Sequence, residues 1–269
     1  VICFPNCKIN LGLYVTRRRE DGYHDIETVF YPVQVCDALE IVPARQTQLH
    51  MSGFPVAGAD NSNLVWKAYE LLKGKHPGKI PGLDIFLHKA IPMGAGLGGG
   101  SADGAFMLRL LNDYCKLGLD NALLAAYALE LGSDCPFFIY NTPQLATGRG
   151  ERMEPINLDL SGYSIQLICP EVHVSTAKAF QMITPQSASF GLVQLTALPV
   201  PEWKNQISND FEGPVFVQHP ELADIKKQLY DAGALYTAMS GSGSAIFGIF
   251  DKGHKADVKA GVAFREFCV

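Results

Sequence analysis

Pro92-Met-Gly-Ala-Gly-Leu-Gly-Gly-Gly-Ser-Ala102 carries five glycines among the nine residues from Gly94 to Ala102. Ahead of it, Leu83 to Ile91 reads as a strand. Behind it, Met107, Leu110, Leu111 and Tyr114 recur at i, i+3, i+4 and i+7, the period of an amphipathic helix. The glycines therefore join a strand to a helix. Glycine reaches φ > 0 without steric cost and lets a ligand approach the main chain, while the first turn of a helix offers unpaired N–H groups and a partial positive charge. A polyphosphate fits such a place. A flexible linker fits it less well, because a linker would not run at once into a periodic apolar helix.

Two phosphate-loop spellings can be compared with it. Walker A needs G-x-x-x-x-G-K-[ST], and no lysine follows these glycines, which excludes that fold. Gly94-x-Gly96-x-x-Gly99 meets G-x-G-x-x-G, but the acidic residue expected about twenty positions on should end a second strand. Asp113 falls instead in the helix that carries Tyr114.

Outward from the loop, Ile26 to Val35 and Asp37 to Val42 read as strands. A helix with Leu64, Ala68, Leu71 and Leu72 on one face is expected to be capped by Asn61 or Ser62 and to end at Gly74. Another starts at Asp120, presents Leu124, Tyr127, Ala128 and Leu131, and stops at Gly132, with Ser133 and Asp134 directly after. The Gly/Pro/polar stretch from Asn141 to Pro155 is the largest shift in composition and places a division into residues 1–150 and 151–269. Beyond it come a strand from Tyr163 to Cys169, a short helix capped by Ser175, and a helix opened by Pro220. Two strands, Leu235 to Met239 and Ala245 to Phe250, are joined by Ser-Gly-Ser-Gly-Ser. The mixture lacks a strict β-α-β rhythm, which favours an α+β architecture of two domains.

Composition narrows the function. The 269 residues carry 22 Lys+Arg against 27 Asp+Glu, and only 18% are charged, which leaves little for a nucleic-acid partner. No stretch approaches the ~18 apolar residues of a membrane span, and the first segment lacks the pattern of a leader, so a cytoplasmic protein is expected. No methionine opens the chain, so the sequence is expected to start after processing or to lack a residue or two. The seven cysteines form no C-x-x-C pair and the seven histidines no ligand cluster, so a metal held mainly by side chains is not expected.

The loop resembles that of the GHMP kinases, the galactokinase, homoserine, mevalonate and phosphomevalonate kinases, whose phosphate loop reads P-x-x-x-G-L-G-S-S-A. The likeness extends over Phe4-Pro-Asn-Cys-Lys-Ile-Asn-Leu-Gly-Leu13, Asp21-Gly-Tyr-His24, Asn63-Leu64, Ser133-Asp-Cys-Pro-Phe-Phe138, Gly148-x-Gly150-Glu151, Asn209-Asp-Phe-Glu212 and Met239-Ser-Gly-Ser-Gly-Ser244. Lys-Ile-Asn-Leu with Asp-Gly-Tyr-His is the more specific pair, similar to the members whose alcohol is methylerythritol joined to cytidine diphosphate. The resemblance implies a two-domain α+β GHMP kinase fold, with an N-terminal domain like domain 2 of ribosomal protein S5 and a ferredoxin-like C-terminal domain, and a small-molecule acceptor phosphorylated by ATP with Mg2+.

Phosphoryl transfer to an alcohol needs alignment, cancellation of charge on the phosphoryl oxygens and a group to take the proton. By this resemblance Lys8 supplies the cation and Asp134 the base, Lys8 also holding Asp134 ionised. The cradle is Gly94, Ala95, Gly96, Leu97, Gly98, Gly99, Gly100, Ser101 and Ala102, with Asn63 near the adenine, or else an ordinary helix cap. His24 would read the cytosine edge with Tyr23 beside it and Phe180 stacking across the base, although core packing competes for both rings. Asn10, two residues from Lys8 on an extended strand, would hold the diphosphate or hydroxyls. No protein ligand for Mg2+ is assigned. The loop departs from the pattern at Ala102, where the second serine is missing, and at Gly104, where alanine is usual. Mevalonate- or homoserine-type kinases and a non-catalytic ligand-binding relative remain alternatives, the former disfavoured because their substrates have no base to read.

Overall fold

The computed structural model describes residues 1–55 and 60–269. They form two compact units, neither continuous in sequence: Val1–Cys7, Gln34–Met93 and Gly98–Thr142 make the first, and Lys8–Val33, Gly94–Leu97 and Pro143–Val269 the second. A single cut at 150/151 does not describe this division. The strands Asn6–Arg18 and His24–Cys36 form one sheet with Gln144–Gly148 and Arg152–Pro155, in that order, so the amino-terminal hairpin packs mainly with the later chain. The stretch at which the composition shifts thus contains two paired strands.

In the first unit a sheet runs Ile2–Cys3, Ala38–Pro43, Leu83–Lys89, Gln48–Gly53. Its last pair is parallel, Leu49 facing Ile85 and Met51 facing Leu87, and the helix Leu64–Lys75 makes the crossover. Alternation along Leu83–Lys89 buries Leu83, Ile85, Leu87 and Lys89 on the core side. Helices Gly99–Tyr114, Asn121–Leu131 and Cys135–Tyr140 complete the unit. Asp120 caps the second of these by accepting from the Leu123 amide, as its sequence predicts.

The cap of Leu64–Lys75 is Asn63 and not Asn61 or Ser62: its Oδ1 accepts from the Val65 amide at 2.9 Å, which makes it the ordinary helix cap of its alternative reading. Gly74 lies inside this helix, which ends at His76, so it is not the left-handed terminus its position indicates. A Cβ at Gly74 would meet nothing within 4 Å. Gly74→Ala is therefore expected to stabilise the protein by about 0.5–1 kcal/mol, read as a raised midpoint in thermal unfolding. Gly104 is different: a Cβ there would stand 3.0 Å from the Leu64 Cβ, so its absence lets two helices approach.

The second unit adds a sheet in the order Tyr236–Met239, Ile246–Asp251, Tyr163–Pro170, Phe264–Cys268, all antiparallel. Helices Thr176–Gln181, Glu212–Gln218 and Pro220–Asp231 accompany it. Leu222, Ile225 and Leu229, one stripe of the last helix, pack with Ile168, Met239, Ile246 and Phe250 and with Leu13 and Val15 of the amino-terminal strand. No described helix is long and apolar enough to cross a membrane.

Candidate active site

Gly94, Gly96 and Gly98 adopt φ of +70°, +80° and +71°, so the loop uses glycine at three left-handed positions. Gly98 is the N-cap of the helix Gly99–Tyr114, and no side chain caps that end. The amides of Gly99, Gly100 and Ser101 thus point out of the first turn without a capping acceptor, the arrangement that favours an anion.

Residues Gly94–Leu97, in the second unit, are fastened from two directions. The Lys8 amide donates to the Leu97 carbonyl at 2.9 Å, and the Ala245 amide to the Ala95 carbonyl at 3.0 Å. The Lys8 ammonium donates to the Gly96 carbonyl at 2.9 Å and to Asn10 Oδ1 at 2.6 Å, with its charge 5.0 Å from the Phe30 ring centroid. Asn10 in turn donates to Thr28 Oγ1, and Thr28 to the Gly12 carbonyl. Lys8 and Asn10 are both buried. Asn10 therefore has both ends of its amide engaged with the protein, and its visible task is to orient Lys8.

The serine-rich turn between the last long strands reaches the same carbonyl. Ser240 Oγ donates to Gly96 O at 2.9 Å, and a Cβ at Gly96 would stand 2.0 Å from the Ser240 carbonyl oxygen. Asn209 braces that turn by donating to the Met239 and Gly241 carbonyls at 2.7 and 2.8 Å. Its neighbours tie in the rest: Asp210 accepts from the Val15 amide and Glu212 from the Met239 amide. The run Asn209-Asp-Phe-Glu212 is thus a structural bracket, a role its spelling alone did not reveal.

In the first unit, Asp134 follows the helix that ends at Gly132 and precedes Cys135–Tyr140. Cys135 is buried, which pushes its thiol up to about 12, with the Ser101 hydroxyl pulling it back. Ser101 lies in the first turn behind the loop, so Asp134 sits one residue from a group near the cradle. Its own side chain does not cap the helix it precedes. Asn63 does cap its helix, and its amide nitrogen also reaches the Met51 sulfur at 3.3 Å.

His24 and Phe180 lie ring on ring, centroids 4.9 Å apart and planes 15° from parallel. Phe180 also meets the buried Phe211 edge to face. Phe180 is thus half core and half surface, where the sequence left the two readings in competition. Burial, and then the Arg18 charge, hold the His24 imidazole below its ordinary value, so it is neutral at pH 7. Tyr23 is exposed, with the Arg149 guanidinium 5.0 Å above its ring.

Residues 63–142 match the N-terminal domain of the GHMP kinases and residues 200–266 their C-terminal domain. The chain belongs to the GHMP kinase family. A 4-diphosphocytidyl-2-C-methyl-D-erythritol kinase from Parabacteroides distasonis is 54% identical over 94% of this chain and 92% of its own length. One of the same name from Bacteroides fragilis is 49% identical over 98% of each. A crystal structure of 4-(cytidine 5'-diphospho)-2C-methyl-D-erythritol kinase superimposes with a TM-score of 0.80 at 33% identity, covering 93% of this chain and 90% of that one. Membership of the GHMP kinases makes ATP the phosphoryl donor and a small molecule the acceptor. It also accounts for an α+β chain with a glycine loop that is neither a Walker A motif nor a dinucleotide fingerprint.

Proposed function

We propose that this GHMP kinase transfers the γ-phosphoryl group of ATP to the 2-hydroxyl of 4-diphosphocytidyl-2-C-methyl-D-erythritol, giving the 2-phosphate and ADP. The near full-length identity to relatives of that name supports the acceptor. The mechanism rests most on one observation, the contact between the Lys8 ammonium and the Gly96 carbonyl, which fastens a buried cation to the phosphate loop.

In this reading the amides from Gly94 to Ala102 receive the triphosphate, with Asn63 near the adenine. Lys8 offsets charge that develops on the transferring phosphoryl oxygens, and Asn10 fixes the direction of its ammonium. Asp134 takes the proton of the attacking hydroxyl. Mg2+ would arrive with ATP, held largely by phosphate oxygens and water, and would offset phosphate charge.

His24, Tyr23 and Phe180 are assigned to the cytosine. A base stacked on an aromatic ring gains ~1–3 kcal/mol, and a neutral imidazole can supply a selective hydrogen bond. His24→Ala is accordingly expected to raise the KM for the cytidyl alcohol by about ten- to a hundredfold and leave the KM for ATP unchanged. A changed KM for ATP with an unaltered alcohol KM would reverse the placement of the two pockets. The decisive assay is ADP release with the cytidyl alcohol, mevalonate and homoserine offered side by side. Turnover should follow the cytidyl alcohol alone, and a preference for either of the others would overturn the reading.

A further inference from the structure

The strand that leads into the glycine loop ends on a lysine facing the core. Lys89 is 1% exposed, yet it occupies the same buried side as Leu83, Ile85 and Leu87. Its ammonium donates to Asp37 Oδ2 and, at 2.6 Å, to Asp103 Oδ2. Both carboxylates are buried as deeply. Two carboxyl groups around one ammonium, removed from water, are costly unless each is held in place. Burial pushes the Asp103 carboxyl up, with Lys89 pulling it back, and its Oδ1 has no hydrogen-bond partner.

The three residues sit at both ends of the loop. Asp37 Oδ1 accepts from the amides of Ala90 and Ile91, at 2.6 and 2.8 Å, the residues that lead into it. Asp103 belongs to the second turn of the helix that leaves it. A Cβ at Gly99 would stand 3.4 Å from the Lys89 Nζ, so the ammonium lies directly behind the first helical residue of the cradle. Cys3, whose thiol burial raises to about 12, lies close enough to feel Asp103, and Arg109 and the amino-terminal ammonium act on the same thiol. An isolated hydrophobic core would make none of these ties.

We propose that Lys89, clamped by Asp37 and Asp103, is a positioning residue of the phosphate cradle: it fixes the entering strand end and the leaving helix turn together, and so sets the affinity for the nucleotide's phosphates. This inference rests on the loop being the ATP cradle. Lys89 does not touch the nucleotide in this account. It acts through the amides whose direction it sets.

Calorimetric binding of ADP and of adenosine to the full chain, with KM values for ATP and for the cytidyl alcohol, tests the idea in Lys89→Met and Asp103→Asn. Lys89→Met should weaken ADP at least about tenfold, as expected for amides aimed wrongly at a charged group, and leave adenosine and the alcohol KM within about twofold. Asp103→Asn keeps the Lys89–Asp37 pair and nearly the same shape, and should weaken ADP about threefold with adenosine unaffected. If Lys89→Met does not fold, Asp103→Asn decides. ADP and adenosine weakened equally, or neither weakened, would overturn the inference while wild-type ADP binding left the kinase reading standing. A wild-type protein that binds no ADP would overturn both.

Discussion

Asp134→Asn is expected to lower kcat by roughly a thousandfold or more and to leave ADP affinity within about threefold, since a positioned general base contributes typically 10²–10⁴. Asparagine has nearly the shape of aspartate but cannot accept a proton at neutral pH. On the proposed function, the substitution therefore removes the proton acceptor and keeps the shape. Asp134 stands in a helical conformation, φ −83° and ψ −16°, between two helices, and its side chain does not cap the second of them.

ADP lacks the phosphoryl group that is transferred, so its binding reports on the cradle without reporting on the base. Single-turnover rates and ADP titration of the same preparation separate the two. Turnover at the wild-type rate would remove Asp134 from the mechanism. Loss of ADP binding along with turnover would have another meaning, that the change had spread through Cys135 to Ser101 and displaced the loop.

What the sequence made visible was local. The glycine loop, the Asp120 cap, the stop at Gly132 and the Pro220 start are each signalled by residues next to one another, and the structure places elements there. The Asn63 cap was displaced by a residue or two because Asn61, Ser62 and Asn63 are all competent acceptors and only the tertiary path selects among them. The strands Gln144–Gly148 and Arg152–Pro155 were hidden by their Gly/Pro-rich setting, and pairing with His24–Cys36 settles them. That pairing also explains why the compact units are discontinuous.

The support of the site was harder to read. Asp37, Lys89 and Asp103 are separated by 52 and 14 positions, and no local rule joins them. One signal was present: Lys89 continues the buried alternation of Leu83, Ile85 and Leu87, and a lysine in phase with a hydrophobic face must have partners. Asn209 gave no such sign. Its two carbonyl acceptors lie 30 and 32 residues away in a turn whose sequence says only that it is flexible.

The front half of the loop offers the second large effect. Gly96→Ala is expected to destabilise the protein by about 2–5 kcal/mol and to lower kcat/KM by at least about a hundredfold. The first part follows from φ of +80°, which costs a residue with a Cβ roughly 1–2 kcal/mol. The remainder, about 1–3 kcal/mol, comes from overlap with a neighbour that cannot rotate away. The added carbon would stand 2.0 Å from the Ser240 carbonyl oxygen and 2.9 Å from its carbon, both main-chain atoms.

The turn that carries Ser240 is itself held by Asn209, so Gly96 is the partner that must move. Its carbonyl accepts from both the Lys8 ammonium and the Ser240 hydroxyl, and displacing it unhooks the cation from the loop. A displacement of about 1 Å at a reacting centre is enough to cost a hundredfold. Denaturant unfolding and kcat/KM measured together check both halves of the prediction. Wild-type stability and rate in Gly96→Ala would mean that the loop rests on neither the serine-rich turn nor Lys8. A loss of stability without a loss of rate would mean that the Lys8 contact at Gly96 has no part in the chemistry.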